Sequence, residues 1–282
     1  MTAMSRRSRR KRAQLIDQST GILLAIIALV ILCMLVGFFL WVKKTTVVLD
    51  EVTNCPETGP RAVRAIIFDR TDPIKPLQGQ RIRQRMKEFR EGAPFGTRFD
   101  IYTVEGDAKN VLTPVLTICS PNRPEEANVI YENPELIKKR YEERFVAVLE
   151  KTIDDLLRES TRDTSPIIES MKAAAIASFG PFEQRRIPFR MTMISDMVQH
   201  MPPPGYSQFR SEPNFQQLAR SPAWRSLQPN LFGAEVDILY LLRPEAQRAG
   251  REIQNRGHQA FWEQLISASN GRFVNGSVFE PI

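Results

Sequence analysis

Four oxygen-bearing side chains lie next to predicted strands or helices in a pattern that could bind a metal ion. Asp69 and Thr71 directly follow residues 63–68, an apolar run rich in β-branched residues that indicates a buried strand. Asp196 directly follows Ser195 near the end of another predicted strand, and Ser165 precedes a predicted helix. In an open α/β sheet, ligands bind beyond the carboxyl ends of the strands, so we expect these side chains to converge there. Carboxylate and hydroxyl oxygens suit a hard cation, and we predict Mg²⁺ as the cofactor.

The same residues also have an ordinary structural explanation, which stays open. Asp69 and Asp72 are of a type common in loops and helix caps, and Ser165 before Pro166 is typical of a helix N-cap. Two carboxylates brought close together repel, so one must be protonated, paired with a cation or bridged by a metal. Arg70 is the arginine we expect to supply such a charge.

The elements that must position these residues alternate between strands and helices across residues 61–282. Apolar runs predict strands at residues 63–68, 98–104, 111–119, 187–198, 234–242 and 272–280. Helical periodicity predicts helices at residues 77–91, 134–158, 167–179, 215–227 and 244–269. We therefore expect an α/β fold with a doubly wound, mostly parallel sheet and an antiparallel hairpin at its edge.

Residues 63–279 resemble the von Willebrand factor A (vWA) family in the order of their elements and in the residues at the carboxyl edge of the sheet, which we call the rim. That family places a metal-ion-dependent adhesion site at this rim. The site consists of Asp-x-Ser-x-Ser after the first strand, a Thr from a later loop, and an Asp in a Ser-Asp-Gly-like turn. The resemblance implies that Asp69 and Thr71 correspond to the first Asp and first hydroxyl. It likewise implies that Ser165 corresponds to the loop Thr and Asp196 to the turn Asp.

Two positions depart from the family pattern. Pro73 stands where the family has its second Ser, and Met197 replaces the usual Gly after Asp196. The resemblance therefore implies a vWA-like fold with a degenerate metal site. With one hydroxyl ligand missing, Mg²⁺ would be held by fewer protein ligands and more waters.

A 22-residue uncharged segment, residues 21–42, predicts a transmembrane helix. At 1.5 Å per residue it is about 33 Å long, enough to cross a hydrocarbon core about 30 Å thick. No polar stripe marks it as a soluble helix, and no small-residue cleavage site follows it as in a signal peptide. We expect a tail at residues 1–20, a stalk at 43–60 and an extracytoplasmic domain at 61–282.

The flanking charges predict the orientation of this helix. Six basic residues lie within residues 6–12, whereas only Lys43 and Lys44 follow the helix closely. The positive-inside rule then places the N-terminus in the cytoplasm. With a bacterial inner membrane as the working assumption, the C-terminal domain is periplasmic. We also expect the basic tail to contact anionic membrane lipid.

The net charge of +7 does not indicate nucleic-acid binding by the large domain. Residues 21–282 carry 33 Lys and Arg against 31 Asp and Glu, so the basicity is concentrated in the tail. We therefore exclude nucleic acid as a partner of the exported domain.

Three cysteines remain to be assigned. Cys33 lies in the predicted membrane helix, while Cys55 and Cys119 are exported and could form a disulfide in an oxidising compartment. Two buried free thiols are the alternative from counting alone. With His200 and His258 as the two histidines and no Cys-x-x-Cys, a zinc site is not expected.

These features favour an anchored interaction module that binds a protein partner in a membrane complex through the vWA-like rim. A scaffold subunit of a membrane complex is one alternative, and a hydrolase using Asp69 is another. The hydrolase pattern Asp-x-Asp-x-Thr is broken, because Thr71 stands two residues after Asp69. The sequence also lacks Gly-x-Ser-x-Gly, a Walker loop and His-Glu-x-x-His. We therefore expect no enzymatic activity.

Overall fold

The computed structural model describes residues 3–45, 47–104, 112–126, 133–158, 163–209, 213–243 and 253–280. The chain forms two compact units, Met1–Val48 and Leu49–Ile282. The first unit is a single helix, α1, which runs from Ala3 to Thr45. Its segment Thr20–Trp41 has a mean hydropathy of 3.3 and is long and apolar enough to cross a membrane. This segment matches the prediction at residues 21–42 to within one residue at each end.

A six-stranded sheet forms the centre of the second unit, and its order is β3-β2-β1-β4-β5-β6 among the described residues. The strands are β1 (Ala62–Asp69), β2 (Thr97–Val104), β3 (Leu116–Cys119), β4 (Phe189–Ser195), β5 (Glu235–Leu241) and β6 (Arg272–Phe279). β2 and β3 are antiparallel, and every other neighbouring pair is parallel. The predicted fold class, a mostly parallel sheet with an antiparallel edge hairpin, is confirmed.

Helices cover both faces of this sheet. They are α2 (Pro76–Glu91), α3 (Pro134–Tyr141), α4 (Ala147–Leu156), α5 (Ile167–Ser178), α6 (Phe215–Arg220), α7 (Pro222–Leu227) and α8 (Arg256–Ala268). The protein has two hydrophobic cores, one on each face of the sheet. Side chains of α5 and α8 contribute to the first core, and side chains of α2 and α4 contribute to the second. Ile66 and Ile67 of β1 point into opposite cores and are both fully buried. Burial on both faces explains why this strand is a continuous apolar run rather than an alternating one.

Three predicted helices differ in detail from the structure. The helix predicted at residues 134–158 contains a π-helical turn, Glu142–Val146, between α3 and α4. The helix predicted at 215–227 is two short helices, because Pro222 starts a new helix with Ser221 as its N-cap. Of the helix predicted at 244–269, residues 244–252 lie outside the described residues, and α8 begins after Asn255, whose side chain caps it.

The predicted disulfide between Cys55 and Cys119 is confirmed, and Cys33 is a free thiol. The disulfide joins the segment before β1 to the end of β3. At the same place the Cys119 N–H donates to the Thr53 carbonyl at 2.7 Å. Residues 49–60, the later part of the predicted stalk, therefore fold against the antiparallel edge of the sheet.

Candidate functional site

Asp69 ends β1 at the carboxyl edge of the sheet, and only 1% of its surface is exposed. Its Oδ1 accepts hydrogen bonds from the Thr71 backbone N–H at 3.0 Å and from Thr71 Oγ1 at 2.7 Å. This is an Asx turn, in which an Asp side chain bonds the backbone two residues later. The two residues predicted after the first strand therefore lie together as expected.

The other carboxylate oxygen of Asp69 is bound by two serines from elsewhere in the chain. Ser195 Oγ donates to Asp69 Oδ2 at 2.7 Å, and Ser165 Oγ donates to the same atom at 3.4 Å. Ser195 is absent from the predicted ligand set. Ser195 ends β4, which pairs directly with β1, and the end of this predicted strand is the signal that places Ser195 at the rim beside Asp196.

Ser165 reaches this site for a reason other than the predicted one. The expected N-cap role is wrong, because Pro166 is the N-cap of α5. The backbone of Ser165 instead pairs with His200 through two hydrogen bonds of 2.8 and 2.9 Å. The start of α5 is bound by Gln199, whose Oε1 accepts from the Ile168 N–H at 2.9 Å. The Ser165 hydroxyl is therefore available to Asp69.

Asp196 lies beside this cluster, is 3% exposed, and is paired with Arg243. Its Oδ2 is 3.3 Å from Arg243 Nε, and its Oδ1 accepts from the Val198 N–H at 2.9 Å. Arg243 is also buried, and its guanidinium donates to the carbonyls of Asp72 and Pro73. One guanidinium thus joins the end of β5 to the loop after β1 and to the turn after β4.

The cation at the rim is therefore not Arg70, the residue expected from the sequence. Arg70 donates instead to the Arg158 carbonyl at 3.2 Å. Arg243 replaces it because β5 is the neighbour of β4, so the residue after β5 reaches the turn that holds Asp196.

Burial raises the pKa of Asp196 well above its usual range, and the negative charge of Asp69 raises it further. Arg243 and the Val198 N–H act in the opposite direction but do not cancel these effects. Asp69 and Asp196 are both buried, and among the described residues only Asp196 of the two is paired with a guanidinium, so the two carboxylates repel when both are ionised.

This arrangement offers evidence both for and against the predicted Mg²⁺ site. The donors Asp69, Thr71, Ser165 and Asp196 offer two carboxylates and two hydroxyls, which suit Mg²⁺ in type. In the part of the chain that the structure describes, no three His, Cys, Asp or Glu side chains are grouped to hold a metal. The Arg243 guanidinium already places a fixed positive charge against Asp196, and it opposes a second cation there. The metal site stays a prediction.

We expect Mg²⁺ or Mn²⁺ to bind this site only at millimolar concentration, because protein ligands are few and Arg243 competes for Asp196. Calorimetric titration of the purified protein measures this binding. Asp69→Asn should abolish the heat, whereas Asp154→Asn, on the exposed surface of α4, should leave it unchanged. Absence of heat and of any shift in melting temperature at millimolar metal would contradict the prediction.

Residues 197–209, which we call the rim loop, directly follow Asp196, and His200 in this loop pairs with Ser165 of the cluster. Gln208 connects two parts of the loop and joins the loop to α8. Its Oε1 accepts from the Gln199 N–H at 3.0 Å and lies 2.9 Å from His258 Nε2. His258 is completely buried, and burial lowers its pKa to about 4, so it is neutral at physiological pH. The outer part of the loop is exposed, including Pro202–Pro204 and Phe209, which is 43% exposed.

Comparison with known proteins assigns no family to this chain. No family model and no curated protein matches it. Among solved structures, it is similar to an aerotolerance-related membrane protein from Bacteroides fragilis NCTC 9343, with 16% identity, a TM-score of 0.38, and coverage of 76% of this chain and 90% of the other. It is also similar to the conserved hypothetical protein BatB from Bacteroides thetaiotaomicron, with 13% identity, a TM-score of 0.37, and coverage of 77% and 91%.

Proposed function

We propose that this protein is a membrane-anchored, non-catalytic module that binds a protein partner through the carboxyl rim of its vWA-like sheet. One observation carries the proposal: the buried cluster of Asp69, Asp196 and Arg243 holds the strand ends together where the rim loop begins, and the outer part of that loop is exposed. A rigid base with an exposed loop on top is typical of binding sites on α/β scaffolds.

The anchor and its orientation follow from α1. Its apolar side chains are exposed on all sides along residues 20–41, and the basic residues are concentrated before this segment. In our proposal the helix crosses the bacterial inner membrane, the tail lies in the cytoplasm against anionic lipid, and the second unit is periplasmic.

The exposed residues of the rim loop provide the contact surface in this proposal. Phe209 packs edge-on against the His200 ring at a centroid distance of 5.0 Å, which holds its side chain in one place. The three prolines form a stiff tip beyond the hydrogen bond from Met201 N to Tyr206 O, and such a tip loses little entropy on binding. Asp72 adds an exposed carboxylate close to Arg243. A partner with an apolar pocket flanked by a basic group would suit this surface.

The surroundings of Asp69 support a non-catalytic role. A nucleophilic carboxylate must present an oxygen to the substrate, but both oxygens of Asp69 accept hydrogen bonds from hydroxyls. The side chain is also almost completely buried. The hydrolase hypothesis would require Thr71 and Ser195 to release it.

Site-specific photo-cross-linking in intact cells tests the binding proposal. A photoreactive residue at Phe209 is expected to capture a defined partner, whereas the same residue at Arg186, exposed before β4, should not. A membrane-impermeant maleimide should label Phe209→Cys, because the proposal places this loop outside the cytoplasm.

Two results would count against this function. Equal capture from both positions, or capture from Arg186 alone, would favour the scaffold hypothesis. Labelling of Phe209→Cys only after the membrane is lysed would overturn the orientation.

A further inference from the structure

Helices α2 and α4 enclose a groove of about 340 Å³. This volume is at the lower end of the range found for sites that bind small molecules. The side chains of Met86, Leu149 and Ile153 line the groove and belong to the hydrophobic core that α2 and α4 share. The groove has no residue in common with the buried cluster at the rim, so it is a separate feature of the domain.

Two ion pairs join the helices across this groove. Arg83 Nε donates to Asp154 Oδ1 at 2.8 Å, and Arg90 Nη1 donates to Glu150 Oε1 at 2.5 Å. The two arginines are seven positions apart on one helix, which corresponds to a distance of about 10 Å along its axis. The ion pairs therefore bound a short stretch of groove, and they limit the length of a molecule that fits between them.

Lys87 lies between these two ion pairs on α2 and lines the same groove. Its ion pair within the described residues is with Glu91 of its own helix, at 3.8 Å, and both side chains are 55% exposed. Such an exposed pair contributes little free energy, so the ammonium can turn towards an anion in the groove. It is thus the lining cation that no acidic side chain of α4 neutralises.

Arg90 has a hydrogen-bond donor to spare at one end of the groove. The residue is 8% exposed, and its buried Nε–H has no acceptor in the part of the chain that the structure describes. A buried donor without an acceptor costs free energy, and an oxygen atom of a bound molecule would remove that cost.

The charged residues that line the groove have a surplus of one positive charge, since three are basic and two are acidic. They are Arg83, Lys87, Arg90, Glu150 and Asp154. Each acidic side chain is already paired with an arginine, so Lys87 provides the surplus. The groove therefore combines an apolar lining with a single cation that is not neutralised from the facing helix.

The π-helical turn Glu142–Val146 is an independent sign of function at this place. It directly precedes α4, whose first turn contributes Leu149 and Glu150 to the groove. Turns of this kind are rare and are frequently found at functional sites. The wider turn changes the rotation of the helix that follows, and so sets the direction in which these two side chains point.

We propose that the groove between α2 and α4 binds a small monoanionic molecule, a carboxylate with a short apolar body. The carboxylate accepts hydrogen bonds from Lys87 and Arg90, and the apolar body lies against Ile153 and its apolar neighbours. A single negative charge matches the surplus charge of the lining residues. A short body matches the stretch between the two ion pairs.

Fluorine NMR titration of para-fluorophenylacetate with the full-length protein in nanodiscs tests this proposal. We expect saturable binding beyond that measured with empty nanodiscs. The neutral analogue para-fluorophenylacetamide should bind about tenfold more weakly, because hydrogen bonds to an ionised acceptor are the stronger ones. No saturable binding of the acid at millimolar concentration, or equal affinities of the acid and the amide, would overturn the proposal.

Substitutions of the lining residues locate the binding in the groove. Lys87→Gln should weaken binding of the acid about tenfold and remove most of its advantage over the amide, whereas Lys87→Arg should retain both. Asp154→Asn frees Arg83 and should tighten binding of the acid. Lys139→Gln is the matched control, because Lys139 has a comparable exposed pair with Glu143 on α3 and should have no effect. Equal losses for Lys87→Gln and Lys139→Gln, or weaker binding by Asp154→Asn, would contradict the assignment.

Discussion

Replacing Arg243 by methionine is expected to lower the free energy of unfolding by about 3–5 kcal/mol above about pH 8, because it leaves the ionised, buried Asp196 without its cation. The substitution also removes the donors to the carbonyls of Asp72 and Pro73. Chemical denaturation of the purified protein measures the loss. Arg83→Met is the matched control, since its ion pair with Asp154 is more than half exposed and should contribute no more than about 1 kcal/mol.

The pH dependence of this loss distinguishes the charge from simple packing. Asp196 has a raised pKa in the folded protein, so its contribution to stability is fully present below its unfolded pKa and is lost as pH rises through the folded value. Without Arg243 that pKa rises further. The difference between Arg243→Met and wild type should therefore be smallest and constant below about pH 8, where Asp196 is protonated in both folded proteins, and grow above that pH. Adding Asp196→Asn should recover much of the stability, whereas a loss independent of pH would contradict this explanation.

Removing the disulfide by Cys55→Ser with Cys119→Ser is expected to lower the free energy of unfolding by about 2–5 kcal/mol. The bond joins residues 64 positions apart, and its loss increases the conformational entropy of the unfolded chain. Comparing the thermal unfolding of the two forms without reductant measures the difference.

Cys33→Ser is the control for the disulfide, because that thiol is free and its change should stay within about 0.5 kcal/mol of wild type. Equal melting temperatures for wild type and the double serine variant would contradict the prediction. Mass spectrometry of the unreduced protein that found free thiols at both positions would do the same.

The sequence predicted the strands well, because their signals are local. The apolar run of β1 and the hairpin of β2 and β3 can be recognised within ten to twenty residues of chain. The position of Asp69 and Thr71 followed from the end of β1 alone. Element boundaries were less predictable where a proline, such as Pro222, interrupted a pattern that otherwise continued.

The Arg243 contact could not be predicted in the same way, because it depends on strand order. Arg243 and Asp196 are 47 positions apart in the chain and meet only because β4 and β5 are neighbours. Arg70 was the natural expectation, since it lies next to Asp69 in the chain. In the structure its side chain points instead to the carbonyl after α4. Ser195 was expected at the rim but not among the ligands, since its contact with Asp69 depends on the pairing of β4 with β1.

The disulfide gives the second unit two covalent attachments to the segment that leads from α1. Tension applied through the membrane helix reaches β1 along the chain and β3 through Cys55 and Cys119. Because the force divides between β1 and β3, β3 and the segment from residue 49 onwards cannot separate while the disulfide is intact. Reduction would remove one load path, so the domain should unfold under a lower pulling force. The oxidation state of this bond thus sets the mechanical strength of the tethered domain.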